Sequence, residues 1–77
     1  MADSVVGDVF LEFQRVGQFV KVTAIDPESL TEVSIMGPPS ASEDALGRNA
    51  MRKLAYVLSR QSEKRGAQAP PKARTDV

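Results

Sequence analysis

The chain contains no cysteine, no histidine and no tryptophan. Without cysteine there is no disulfide, no thiolate metal site and no cysteine nucleophile. Without histidine, the commonest metal ligand and the usual proton-transfer group near neutral pH are both missing. Long apolar runs are missing too. No segment approaches the ~20 consecutive apolar residues that span a bilayer as a helix. The opening residues, Met1-Ala2-Asp3-Ser4-Val5-Val6-Gly7-Asp8, hold no basic stretch and no cleavage-like site, so no secretory signal is expected. A reducing cytoplasm is the expected compartment.

These absences bear on chemistry. Catalysis would need carboxylates, Lys, Tyr or Ser gathered in one pocket. The acids are spread over strand, turn and helix-start positions, and no convergent pair can be argued from their spacing. The sequence therefore predicts a protein that is not an enzyme, with no cofactor, no metal and no evident small-molecule substrate. With 77 residues there is room for one core. A chain this small buries only ~60% of its unfolded surface, so self-association would help it.

The formal net charge is zero, but it is divided. Residues 1–45 hold eight acids against Arg15 and Lys21, a balance of −6. Residues 46–77 hold eight bases against Glu63 and Asp76, a balance of +6. Such a division bears on partners and solubility more than on fold.

The chain reads as an α+β domain, a three-stranded antiparallel β-meander followed by one C-terminal amphipathic helix (β-β-β-α). Residues 1–7 are expected to be a flexible tail, 8–66 the single domain, and 67–77 a disordered tail rich in polar residues and Pro. Residues 8–16, rich in aromatic and β-branched types, form the first expected strand. Gly17-Gln18, with Gly first, suits a type II′ hairpin turn. Residues 19–26 alternate as a second strand. Pro27 cannot donate to a ladder and opens a loop. Residues 32–36 are the third strand, ended by Gly37-Pro38-Pro39.

Register tests this reading. A turn at Gly17-Gln18 sets Val16 opposite Phe19, Phe13 opposite Val22 and Leu11 opposite Ala24. A turn at 27–30 sets Ala24 opposite Val33 and Val22 opposite Ile35. Directly opposed side chains share a face. Both turns give the same apolar face: Val9, Leu11, Phe13, Val20, Val22, Ala24, Val33 and Ile35, broken only by Arg15 at the rim. In the helix, Ser40 and Glu43 form a capping box, with Ser42 as a rival cap. Leu46, Ala50, Leu54, Val57 and Leu58 then make one helical stripe, with Met51 at its margin. Gly66 is placed to stop the helix, with Lys64 and Arg65 complementing its dipole.

Two surfaces are candidates for binding. The apolar stripe of the helix is not one of them, since covering the sheet is its ordinary use. The second sheet face sets Phe10 opposite Ile25 and Val16 opposite Phe19, with Met36 alongside. These flank a polar centre where Glu12 and Lys21 are diagonal neighbours. Contiguous apolar patches of this kind mark interfaces, so Phe10, Val16, Phe19, Ile25 and Met36 are the candidate contacts for a protein partner or a homodimer. The other surface is basic. Arg48, Arg52 and Arg60, with Tyr56 between, recur along the helix, and Lys53 flanks them. Such a stripe could follow a phosphate backbone, although a solvated helix face is the commoner reading of the same charges. Nucleic-acid binding through this face is the alternative function. Gly37-Pro38-Pro39-Ser40 lacks the spacing and the Lys of a phosphate loop, and Asp26-Pro27-Glu28 has too few ligands for calcium.

The run Glu12-Phe13, Arg15, Gly17, Val20-Lys21-Val22, Ala24-Ile25-Asp26-Pro27, Thr31-Glu32-Val33, Gly37-Pro38 and Arg52-Lys53-Leu54-Ala55-Tyr56-Val57-Leu58 resembles a family of short alphaproteobacterial proteins of unknown function. The resemblance covers roughly residues 9–60 and lies in overall pattern, with no catalytic signature. It implies no known reaction or ligand. The second turn of that family usually carries a Gly; here Ser29 and Leu30 stand nearby.

Overall fold

The structure, a computed structural model, describes residues 3–67, with side chains described as far as Glu63. Four strands precede one helix: β1 (Ser4–Val6), β2 (Val9–Val16), β3 (Phe19–Asp26), β4 (Thr31–Gly37) and α1 (Glu43–Ala67). The strands form one antiparallel sheet in the order β1-β2-β3-β4. The expected three-stranded meander is thus corrected to four strands. The addition falls in the stretch expected to be a tail. Gly7 adopts φ 62° and Gly7-Asp8 turns the chain, so Val6 pairs with Val9, Val5 with Phe10 and Ser4 with Leu11. Asp3 continues this edge by accepting the Phe13 amide on Oδ1 at 3.3 Å. The expected tail after residue 66 lies outside the described residues, save Ala67, which closes α1.

The expected register is the observed one. Leu11 faces Ala24, Phe13 faces Val22 and Val16 faces Phe19. Val22 faces Ile35 and Ala24 faces Val33. Gly17 carries φ 61° while Gln18 has no positive φ, the sign pattern of a II′ turn. Leu11, Phe13, Val20, Val22, Ala24 and Val33 are buried from the sheet, and Leu46, Ala50 and Leu54 from the helix. Val9, Ile35, Met51, Val57 and Leu58 pack around them, partly buried. Arg15 stays exposed at the rim and donates from Nε to the Gly17 carbonyl at 3.1 Å.

At the helix start the rival cap wins. The Ala45 amide donates to Ser42 Oγ at 3.0 Å, and the Leu46 amide to the Ser42 carbonyl at 3.0 Å. The expectation of a Ser40 cap is corrected accordingly: Ala41 donates to the Pro38 carbonyl, so Ser40 lies inside a turn that precedes the helix. Glu43 and Asp44 still occupy the first turn, where the helix dipole favours acids. Gly66 does not stop the helix, which runs on to Ala67.

The second turn uses a residue that resists it. Leu30 sits at φ 61°, and its amide reaches back to the Asp26 carbonyl at 2.7 Å. Asp26 Oδ2 accepts from the Ser29 amide at 3.2 Å and the Ser29 hydroxyl at 2.7 Å. These bonds hold the chain where a Cβ is unfavourable. Leu30 is 79% exposed, so its side chain recovers little by burial. Leu30→Gly is expected to raise stability by about 0.5–1 kcal/mol, the relief of left-handed strain less the added freedom of the unfolded chain. A urea midpoint that stays put or falls would show that the turn is unstrained.

Candidate functional site

The face of the sheet away from α1 is built by alternation. Side chains that leave the core side at Leu11, Phe13, Val22 and Ala24 are separated by ones that point outward. At one end, Val5, Phe10 and Ile25 lie side by side across β1, β2 and β3. At the other end, Val16 faces Phe19 on β2 and β3, and Met36 faces Lys21 one step in from Phe19. Val5, Phe10, Val16, Phe19 and Met36 are all exposed, Phe19 by 52%, and Ile25 is half-buried. Among the described residues no other element lies over them.

Between the two ends the face is polar. Thr23 and Ser34 oppose each other and share a hydroxyl–hydroxyl bond of 3.1 Å, which satisfies Thr23 although it is buried. Glu12 pairs with Thr23, and Gln14 with Lys21, so Glu12 and Lys21 are diagonal, as the register required. They do not form an ion pair. Among the described residues the ion pair present is Arg60–Glu63, at 3.8 Å on the exposed helix. All five apolar residues expected on this surface are there. Val5 joins them, and sequence reasoning missed it because β1 was missed.

The basic residues of α1 are less united. Arg48 and Arg52 lie on the flank of the helix that overlooks β1 and β2, and Arg52 bonds Asn49 Oδ1 at 3.1 Å. Lys53 reaches the other way and donates to the Ser34 carbonyl on β4 at 2.8 Å. Arg60 stacks 5.9 Å above the Tyr56 ring, donates to its hydroxyl at 3.3 Å and meets Glu63. The five expected nucleic-acid contacts therefore face three directions. Lys53 has a second consequence: an ammonium on the outer edge of β4 hinders another strand from pairing there. At the opposite edge β1 is only three residues long.

Among the described residues no three acidic side chains gather into a metal-binding group. Nor is any helix among them long and apolar enough to cross a membrane. Residues 6–61 match the family described as a domain of unknown function, DUF6898. The chain belongs to this family. The match runs from Val6, the last residue of β1, through β2, β3 and β4 to Gln61 on α1, so the DUF6898 unit includes the outer face apart from Val5, and the basic residues of the helix as far as Arg60. No curated protein and no solved structure matches the chain.

Proposed function

We propose that this DUF6898 domain is a non-catalytic interaction module that docks through the outer face of its sheet, and that its occupant is a second copy of the same chain. The observation that carries the reading is the pair of apolar clusters, Val5-Phe10-Ile25 and Val16-Phe19-Met36, on a face that no other element covers among the described residues. The choice of a second copy rests on charge. Glu12 and Lys21 sit diagonally across the centre of the face with no ion pair of their own, so an inverted copy offers each its opposite. Both edges are guarded, by the shortness of β1 and by Lys53 on β4, which favours face-on docking over strand addition. Burying the apolar ends would also strengthen a core of marginal size. A cytoplasmic setting belongs to the same proposal; it rests on a cysteine-free chain that needs no oxidising compartment.

The test is the double substitution Phe10→Ser with Phe19→Ser. Both side chains are outside the core, so the variant should lose only about 1 kcal/mol, through two weakened cross-strand pairs. Sedimentation equilibrium should show the wild-type chain as a dimer and the variant as a monomer. A wild-type chain that is monomeric across the accessible concentration range would end the homodimer reading. So would a folded variant with unchanged mass.

A further inference from the structure

One helix is too narrow for this sheet. Strands lie ~4.8 Å apart and packed helices 8–10 Å apart, so a single helix shields roughly two strands. α1 lies mainly over β3 and β4. Beside it, over β1 and β2, runs a groove of about 670 Å³. Ligand sites commonly enclose ~300–1,000 Å³ and combine an apolar lining with a few converging polar groups. The groove has that composition. Val6, Leu11 and Phe13 line the sheet side, and Met51 and Ala55 line the helix side. Gly47 brings the two walls together, because a Cβ there would stand 3.3 Å from Leu11 Cδ1.

Its polar groups are unevenly placed. Arg48 and Arg52 line the helix wall one turn apart, and neither has a carboxylate partner among the described residues. Asn49 orients the Arg52 guanidinium at 3.1 Å. Glu43 and Asp44 line only the end nearest the helix start. An anion is therefore repelled from that end and attracted toward Arg52, beside the thioether of Met51, which adapts to irregular apolar shapes. A guanidinium matches a carboxylate in both charge and hydrogen-bond geometry, and a second one nearby adds to the attraction.

From the groove's volume, its apolar walls and the two guanidiniums that meet no carboxylate among the described residues we infer that it binds a small amphipathic carboxylate. The acyl or similarly apolar body lies against Val6, Leu11, Phe13 and Met51, and the carboxylate meets Arg48 and Arg52. This site is on the helix side of the sheet, so it stands or falls separately from docking on the outer face.

Dodecanoate is a suitable probe, titrated into the full chain below its micellar range and followed by amide and methyl NMR shifts. The expected result is saturable movement at Val6, Met51 and Ala55, with little at Phe19 and Met36. Arg48→Gln with Arg52→Gln should weaken binding at least about tenfold, because charge-assisted hydrogen bonds are lost. Arg60→Gln, off the groove, should leave it unchanged. Dodecyltrimethylammonium has the same chain and the opposite charge, and it should bind at least about tenfold more weakly to the wild-type chain. That comparison needs no variant, so it holds even if the double substitution disturbs folding. The proposal is overturned if no saturable shift appears up to about 1 mM dodecanoate. It is equally overturned by shifts confined to the outer face, by equal binding of the two detergents, or by undiminished binding to a folded double variant.

Discussion

Leu54→Ala should cost about 2–5 kcal/mol, the usual penalty for emptying a Leu-sized space in a core that can only partly collapse. Leu54 is 2% exposed and is one of the two largest fully buried side chains of the domain, the other being Val22 on the central strand β3. It sits on the third turn of the helix stripe, after Leu46 and Ala50, where α1 crosses the sheet. The lost contacts would have to be replaced by movement of either the helix or the strands. The helix is pinned at its start by the Ser42 cap, and the strands by two tight hairpins with left-handed glycines. Neither yields easily, so most of the cavity should persist. Set against the ~5–15 kcal/mol that a whole domain commands, such a loss would unfold a large part of the population of a chain this small. Urea unfolding of the two proteins measures it directly. A change below about 0.5 kcal/mol, the scale of an ordinary surface substitution, would mean that Leu54 is not a core residue. Leu58→Ala provides the contrast: Leu58 is only half-buried, so its loss should be smaller.

The core face was legible in the sequence for a definable reason. Two turns of fixed length, Gly17-Gln18 and 27–30, set two registers independently, and both put Leu11, Phe13, Val22, Ala24, Val33 and Ile35 on one side. A slip of one residue in either would have moved half of them to water. β1 escaped because a strand of three residues offers no periodicity to detect. Its signal was the turn: Gly7-Asp8 between Val6 and Val9 repeats the Gly-first pattern of Gly17-Gln18 and supports the same II′ geometry. Ser40 and Ser42 could not be separated by spacing, since each is a good cap near an acid. The turn before the helix, closed by Ala41 on the Pro38 carbonyl, decided between them.

The outer face was legible to the same extent as the register, so Phe10, Val16, Phe19, Ile25 and Met36 were found and Val5 was not. The basic surface shows where helical spacing stops being informative. A helix projection puts Arg48, Arg52, Lys53, Tyr56 and Arg60 on one arc. Long side chains, however, bend toward whatever polar group is near, and those groups belong to other elements: the Ser34 carbonyl for Lys53, Glu63 and Tyr56 for Arg60. The groove beside α1 was beyond the sequence altogether. It depends on how far the helix sits toward β4, where the Leu46 side chain fills the place a Cβ on Gly37 would take.

That packing makes Gly37 the second sensitive point. Gly37 ends β4, pairs with Val20 and is buried. The place where its Cβ would stand is already taken by the Leu46 side chain, which clashes with it directly. Leu46 cannot swing aside cheaply, because it is 4% exposed and enclosed by the core. Gly37→Ala should therefore force α1 away from the end of the sheet and cost about 1–3 kcal/mol, the range for an extra methyl in a filled core. Pro38 and Pro39 follow immediately and stiffen the connection, which limits how far the chain can absorb the shift. The decisive measurement is a double-mutant cycle with Leu46→Ala. Alone, Leu46→Ala should cost about 2–5 kcal/mol by opening a cavity. In the Gly37→Ala background part of that cavity is filled by the new methyl, and the clash disappears. The two costs should then fall short of additivity by about 0.5–3 kcal/mol, the coupling expected of side chains in direct contact. Strict additivity would show that Gly37 and Leu46 do not compete for one space, and that the position of α1 over β3 and β4 is fixed by something else.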